Sequence, residues 1–227
     1  MKTMYYLCIA ALLLTSCKQE ETQTLEDRYA DAHPEALAIA KQNGLAQWDA
    51  VTQIDFTFNV DRNGNTVSKR GWSWKPKTGD VTMIQNNKKV TYNQNAIDST
   101  AIKSDQAFIN DKFWLLIPLQ LVWDEGTQII VQDSAVAPIS QQATKKLTIL
   151  YGDKGGYTPG DAYDIFYTNN YQIKEWVFRK SNSTTPSLMN TFENYQTVEG
   201  IPIATEHKDA DNTFNLYFTN ITITTEK

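Results

Sequence analysis

Two cysteines and two histidines in 227 residues leave little reactive chemistry to assign. Cys8 lies inside an N-terminal apolar segment and Cys17 at its end. Residues 18–227 hold no cysteine, so that part of the chain has no free thiol and no disulfide, which excludes thiol catalysis and Cys-ligated zinc there. His33 and His207 are too few for a His-based triad or a His-rich metal centre, and His207, in "TEHKDAD", reads as a solvated strand end. Basic excess is also missing. With 21 Lys and Arg against 26 Asp and Glu the net charge is −5, so no basic patch favours nucleic acid. Beyond the N-terminus there is no long hydrophobic run, no internal repeat and no low-complexity tract. The longest apolar stretch, Phe113 to Trp123, is broken by Pro118 and Gln120 and bracketed by Lys112 and Asp124. A bilayer span takes about 20 apolar residues, so this stretch is too short to cross one.

What the chain does have begins at its N-terminus. "MKTMYYLCIAALLLTSC" combines Lys2, an apolar segment from Tyr5 to Leu14 and small residues before a cysteine, the pattern of a secretory signal peptide. Its end, Leu14-Thr15-Ser16-Cys17, resembles the lipobox of bacterial lipoproteins. That resemblance implies cleavage before Cys17 and lipidation of its thiol, with acyl burial of roughly 0.8 kcal/mol per CH₂ holding the protein on a membrane. Lys18-Gln19-Glu20-Glu21 is similar to lipoprotein-export signals of some Gram-negative lineages and reads equally as a charged linker. The expected organisation is a signal peptide over 1–16, lipidated Cys17 and a flexible linker over 17–32, and one β domain over 33–227.

Pro34 at a first helical position, Glu35 in the first turn and Asn43-Gly44 as a stop predict a short helix, followed by another turn or two from Leu45 to Ala50. From there the period becomes two. Ile54, Phe56, Phe58 and Val60 alternate with polar residues, and Trp72 and Trp74 share a face of the return strand after an Asn63-Gly64 turn. Further turns at Thr78-Gly79-Asp80, Asn86-Asn87-Lys88, Pro159-Gly160, Asn169-Asn170 and 209–212 separate strands, nine or ten in all. Such strands predict an antiparallel sheet that curls or closes. The acidic stretches "DRNGN" and "DADNT" lack the spacing of a calcium loop and read as hairpin turns. Nothing asks for a metal or a cofactor.

The stretch "AFINDKFWLLIPLQLVWD" stands apart, without period-two alternation. Asn110-Asp111 can cap a helix and Pro118 can break one, so residues 110–123 predict one or two short helices covering the sheet's apolar face. Uniform apolarity means that both sides of this plug are covered. If it leaves space beneath, Phe113, Trp114, Leu116, Leu119 and Trp123 face that space from the plug, and Phe56, Phe58, Trp72 and Trp74 from the sheet. Two other readings are open: a sugar-stacking platform through exposed Trp72 and Trp74, and a glycosidase using two of Asp105, Asp111, Asp124 and Glu125. Capping explains Asp111 and solvation the others. Asp98-Ser99-Thr100 and Asp133-Ser134-Ala135, similar to a short O-glycosylation motif, mark exposed loops.

"NGLAQWDAVTQIDFTF", "DQAFINDKFWLLIPLQLVW" and "TFENYQTVEGIPIATEHK" together resemble a family of bacterial envelope lipoproteins and, more distantly, the LolA/LolB-like and LppX-like lipoprotein carriers. The resemblance covers about residues 33 to 225. It implies a mainly β fold, a strongly curved antiparallel half-barrel with short helices plugging its concave face. It further implies an apolar ligand, a lipid or acyl chain, bound beneath the plug by a monomeric, non-enzymatic protein of the outer membrane, on the periplasmic or the surface side. LolA itself is a soluble shuttle, so an anchoring Cys17 favours a LolB-like acceptor or another cargo over chaperoning in the LolA manner.

Overall fold

The computed structural model describes residues 23–226 apart from Gly155; the expected signal peptide with Cys8, the expected lipidation site Cys17 and residues 18–21 lie outside the described residues. The chain forms two units, one ending at Ala30 and one comprising Asp31–Lys227. In the first, α1 (Leu25–Arg28) is one turn within the expected linker. Thr24 closes a capping box there, its hydroxyl accepting from the Asp27 N–H while the Asp27 carboxylate accepts from the Thr24 N–H, both at 3.1 Å.

The second unit opens with α2 (Pro34–Gln42) and α3 (Leu45–Trp48). His33 caps α2, its Nδ1 accepting from the Glu35 N–H at 3.2 Å. Between the helices Gly44 sits at φ +96°, where a Cβ would meet the Ile201 Cα at 2.9 Å, so both conformation and space demand glycine.

Four strands follow as two hairpins: β1 (Val51–Arg62), β2 (Asn65–Lys75), β3 (Asp80–Gln85) and β4 (Lys88–Asn93). Asn63-Gly64 and Asn86-Asn87 make their two-residue turns with φ of 49°, 77°, 50° and 60°. The helix α4 (Ile102–Trp123) then crosses to β5 (Thr127–Val136), β6 (Ala143–Tyr151), β7 (Ala162–Tyr167), β8 (Ile173–Arg179) and β9 (Leu188–Thr191). The small hairpin β10 (Gln196–Val198) and β11 (Ile201–Ile203) precedes β12 (Glu206–Lys208) and β13 (Phe214–Thr225). Two large sheets result, ordered β12-β13-β1-β2-β3-β4 and β5-β6-β7-β8-β9, beside the two-stranded β10-β11, all pairs antiparallel. Along the line between β9 and β12 they are stitched together. The Glu193 N–H donates to the Glu206 carbonyl at 2.9 Å, and the Lys208 N–H to Thr191 Oγ1 at 3.1 Å. The half-barrel is therefore built from two sheets joined at one seam, with β4 and β5 as free edges and no closure.

Thirteen strands among the described residues exceed the nine or ten expected, and β5 and β6 are the whole ones missed. In β6, "ATKKLTILY", two lysines obscure the pattern, and Lys145 spends its charge on Glu35 of α2 at 3.2 Å. Asp133-Ser134-Ala135 is no loop. It lies in β5, where the register with β6 slips between Gln132 and Ala135. The turn at Asp209 is closed by its own carboxylate, which accepts from the Thr213 and Phe214 N–H groups at 2.8 and 3.1 Å.

The plug differs from expectation in length and in how it is held. It is one 22-residue helix starting at Ile102, after Asp98 has accepted from the Thr100 and Ala101 N–H groups. Its first half is amphipathic, with Ile102, Lys103 and Gln106 exposed and Ser104, Asp105 and Phe108 buried, so the apolar run marks only the second half. At Leu116 the backbone leaves helical geometry (φ −124°, ψ 24°). Pro118 lies just beyond, lacking the N–H that would bond to the Trp114 carbonyl and crowding it with its ring.

Asp111 does not cap this helix. It is fully buried mid-helix and accepts from Arg70 Nε and Nη2, both at 2.7 Å, and from the Trp72 indole N–H at 2.8 Å. Phe108, one turn earlier on the same face, packs on the rings of Trp72 and Trp74 at 5.3 and 5.4 Å. This face of α4 is thereby fastened to β2.

Candidate functional site

A different stripe of α4 meets the five-stranded sheet. Ile109, Phe113 and Gln120 recur at helical spacing and face a cavity of about 520 Å³. Its floor is a row of cross-strand partners, Tyr163 opposite Phe178 and Phe178 opposite Leu188, because these residues occupy the same face of β7, β8 and β9. Trp176, two residues before Phe178, shares that face. The rings of Tyr163 and Phe178 stack at 5.0 Å, and Phe113 from α4 reaches Tyr163 at 4.9 Å and Trp176 at 5.8 Å. The wall is thus mostly aromatic and apolar, of a size typical of small-molecule sites. The cavity reaches the surface at Glu125, Gly126 and Tyr157, all of them exposed.

Polar groups gather at this rim. Tyr151 donates its hydroxyl to Asp124 Oδ2 at 2.6 Å, and Tyr157 donates to Asp105 Oδ2 at 2.6 Å. Burial pushes the Asp124 carboxyl above its usual pKa, against the Tyr151 hydrogen bond and the positive charge of Lys112. Lys112, also in the wall, is pushed down by burial, against the pull of Asp124 and Asp105. Its ammonium lies 5.4 Å from the centre of the Trp74 ring.

No family model matches the chain, and no curated protein matches it in sequence. Among solved structures it is similar to a DUF1329 family protein from Desulfovibrio piger, with 10% identity over 83% of this chain and 91% of the other and a TM-score of 0.46. A LolA superfamily protein from Nitrosomonas europaea matches with 8% identity over 85% and 94%, at a TM-score of 0.49. The lipoprotein LppX from Mycobacterium tuberculosis matches with 8% identity over 84% and 97%, at 0.26.

Of the residues that sequence reading placed around a cavity, Phe113, Trp114 and Trp123 line this one. The others are buried elsewhere: Phe56 and Phe58 on Phe218, at 5.9 and 5.8 Å, Trp72 and Trp74 on Phe108, and Leu116 and Leu119 in the core. Trp74 also meets Trp48 of α3, which packs against Trp123 with ring centres 4.5 Å apart and planes tilted by 49°. With Trp72 and Trp74 only 3% and 7% exposed, they offer no surface platform for a sugar. The sequence reading omitted Tyr151, Tyr163, Trp176, Phe178 and Leu188. Most of the signal was present, since Tyr163 and Trp176-x-Phe178 sit on either side of the Asn169-Asn170 turn and must face each other once that hairpin forms.

His207 corrects a further expectation. Rather than a solvated strand end it is fully buried at the seam between the sheets, its ring 4.4 Å from Phe192, 5.2 Å from Trp114 and 5.9 Å from Phe218. A carbonyl only accepts, so the Nδ1 lying 3.0 Å from the Thr191 oxygen carries the hydrogen.

Proposed function

We propose that the protein is an envelope lipoprotein that binds an acyl chain, or a similarly apolar ligand, between α4 and the five-stranded sheet, without catalysing a reaction. The observation behind this reading is the cavity of about 520 Å³ walled by Phe113, Tyr163, Trp176 and Phe178. Unfilled apolar space of this size is unfavourable in a core and is removed from water by a hydrocarbon occupant, at about 0.8 kcal/mol per buried CH₂. The two-carboxylate alternative loses support because Asp111 is consumed by Arg70 and Trp72, and Asp105 is held under Tyr157. No helix among the described residues is long and apolar enough to cross a membrane. Attachment through acylated Cys17 is read from the lipobox-like sequence alone, and in this reading the protein acts as a monomer at the outer membrane.

Three tryptophans line the cavity, so an apolar dye entering it quenches their fluorescence. Leu188→Trp, which pushes a larger ring into the space, is expected to weaken dye binding about tenfold or more, with the thermal midpoint little changed. A parent protein that binds no apolar dye would return the space to ordinary core. For the anchor, labelled palmitate is expected on the intact chain and absent from Cys17→Ala, which leaves the membrane fraction. Equal membrane fractionation of the two would reject lipidation.

A further inference from the structure

The cavity's charges are balanced and separated in an informative way. Its wall contains two cations, Lys112 and Lys154, and two anions, Asp124 and Glu125. Lys112 is on the helix stripe that faces the ligand space, while Asp124 ends the same helix and is fixed by Tyr151. Lys112 and Asp124 act on each other electrostatically but form no direct ion pair among the described residues, and the ammonium lies over the ring of Trp74. An ammonium and a carboxylate, both drawn partly out of water and not in contact, each lack a close counter-charge.

We infer that the cavity selects an amphiphile with a zwitterionic head, whose phosphate is held by Lys112 and whose amine is held by Asp124, with the acyl chains against the aromatic floor. This rests on the reading of the cavity as an acyl-chain site. A purely anionic head at Lys112 would also face Asp124 and Glu125. A purely cationic head at Asp124 would face Lys112. A neutral head would give neither charge an opposite charge in contact. Only a head carrying both signs answers the two groups together. Burial opposes the charged form of both Lys112 and Asp124, so counter-charges supplied by a ligand would favour ionisation of both.

The test uses the full chain loaded with the apolar dye N-phenylnaphthylamine. Dye is displaced by short-chain phosphatidylethanolamine, phosphatidylglycerol or diacylglycerol with the same acyl chains, each below its micelle concentration. Phosphatidylethanolamine is expected to displace dye at roughly tenfold lower concentration than either other lipid, the scale of one charge-assisted hydrogen bond. Lys112→Met and Asp124→Asn are each expected to shrink that ratio to about threefold or less. Asp124→Asn also narrows the gap to phosphatidylglycerol, because one repelling carboxylate is gone. Thermal melts confirm that each variant is folded, and a variant that does not fold is replaced by Lys112→Gln or Asp124→Ser. Equal displacement by the three lipids, or a preference intact in both variants, overturns the headgroup assignment and leaves the acyl-chain reading standing. Absence of dye binding in the parent overturns both.

Discussion

Asp111→Ala is expected to destabilise the fold by about 3 to 5 kcal/mol, the cost of breaking a buried ion pair by removing one partner. Its carboxylate accepts two hydrogen bonds from Arg70, one from the Trp72 indole and one from Asn110 Nδ2 at 3.0 Å. Burial raises the Asp111 pKa, and the Arg70 guanidinium opposes that rise. Arg70 is itself mostly buried, its side chain 18% exposed and its guanidinium 4.8 Å over the Phe58 ring. Removing the carboxylate strands Arg70 Nε and Nη2 and the indole N–H without acceptors, leaving the guanidinium only the Ser68 hydroxyl at 2.9 Å from Nη1, and it also loosens α4 from β2. Urea denaturation measures the loss. The paired change Arg70→Met with Asp111→Leu should recover most of it, since an apolar replacement of the whole pair leaves no unpaired charge. A loss under about 1 kcal/mol for Asp111→Ala would mean that α4 is held by its apolar contacts alone.

His207 makes stability depend on pH in a defined window. Burial drives its pKa from 6.5 down to about 3, against the pull of the Thr191 and Ala204 carbonyls. The folded imidazole therefore stays neutral while the unfolded one takes a proton below pH 6.5. This contribution is fully present above the unfolded pKa and is lost as pH falls towards the folded value. At 1.36 kcal/mol per pKa unit, the native state should lose about 3 kcal/mol from this group alone between pH 7 and pH 4. His207→Asn keeps a donor near the position of Nδ1 and does not titrate. The difference between the two proteins isolates the histidine, because every carboxylate is common to both. Stability curves that stay parallel from pH 7 to pH 4 would contradict a neutral, sealed imidazole.

Both residues were visible in the sequence, and neither role was. Asp111 sits just before an apolar run, where a capping aspartate is the local expectation. What moved the helix start to Ile102 is an amphipathic first half whose buried side, Ser104, Asp105 and Phe108, acquires meaning only in the fold, where Phe108 meets Trp72 and Trp74 of β2. His207 lies among charged residues in "TEHKDAD", and its burial follows from its position in β12, where the second sheet meets the first. The cavity was half legible. Phe113, Trp114 and Trp123 came from the apolar run itself, whereas its floor came from a hairpin that had been recognised without a neighbour to face.

The sequence by itself determined the features that depend on a few adjacent residues. The Asn63-Gly64 and Asn86-Asn87 turns form because those residues tolerate positive φ. The limits of α2 follow from Pro34 at its start and Asn43-Gly44 at its end. The alternation in β1 and β2 announces strands with an apolar face. Tertiary structure alone decided which apolar faces became filled core and which became cavity. Trp72 and Trp74 were closed over by Phe108, while Tyr163, Phe178 and Leu188 were left facing space beneath Phe113. Periodicity reports that a side chain is turned from water. Whether protein or open volume meets it depends on the crossing of α4 between two sheets, a relation among residues far apart in the chain.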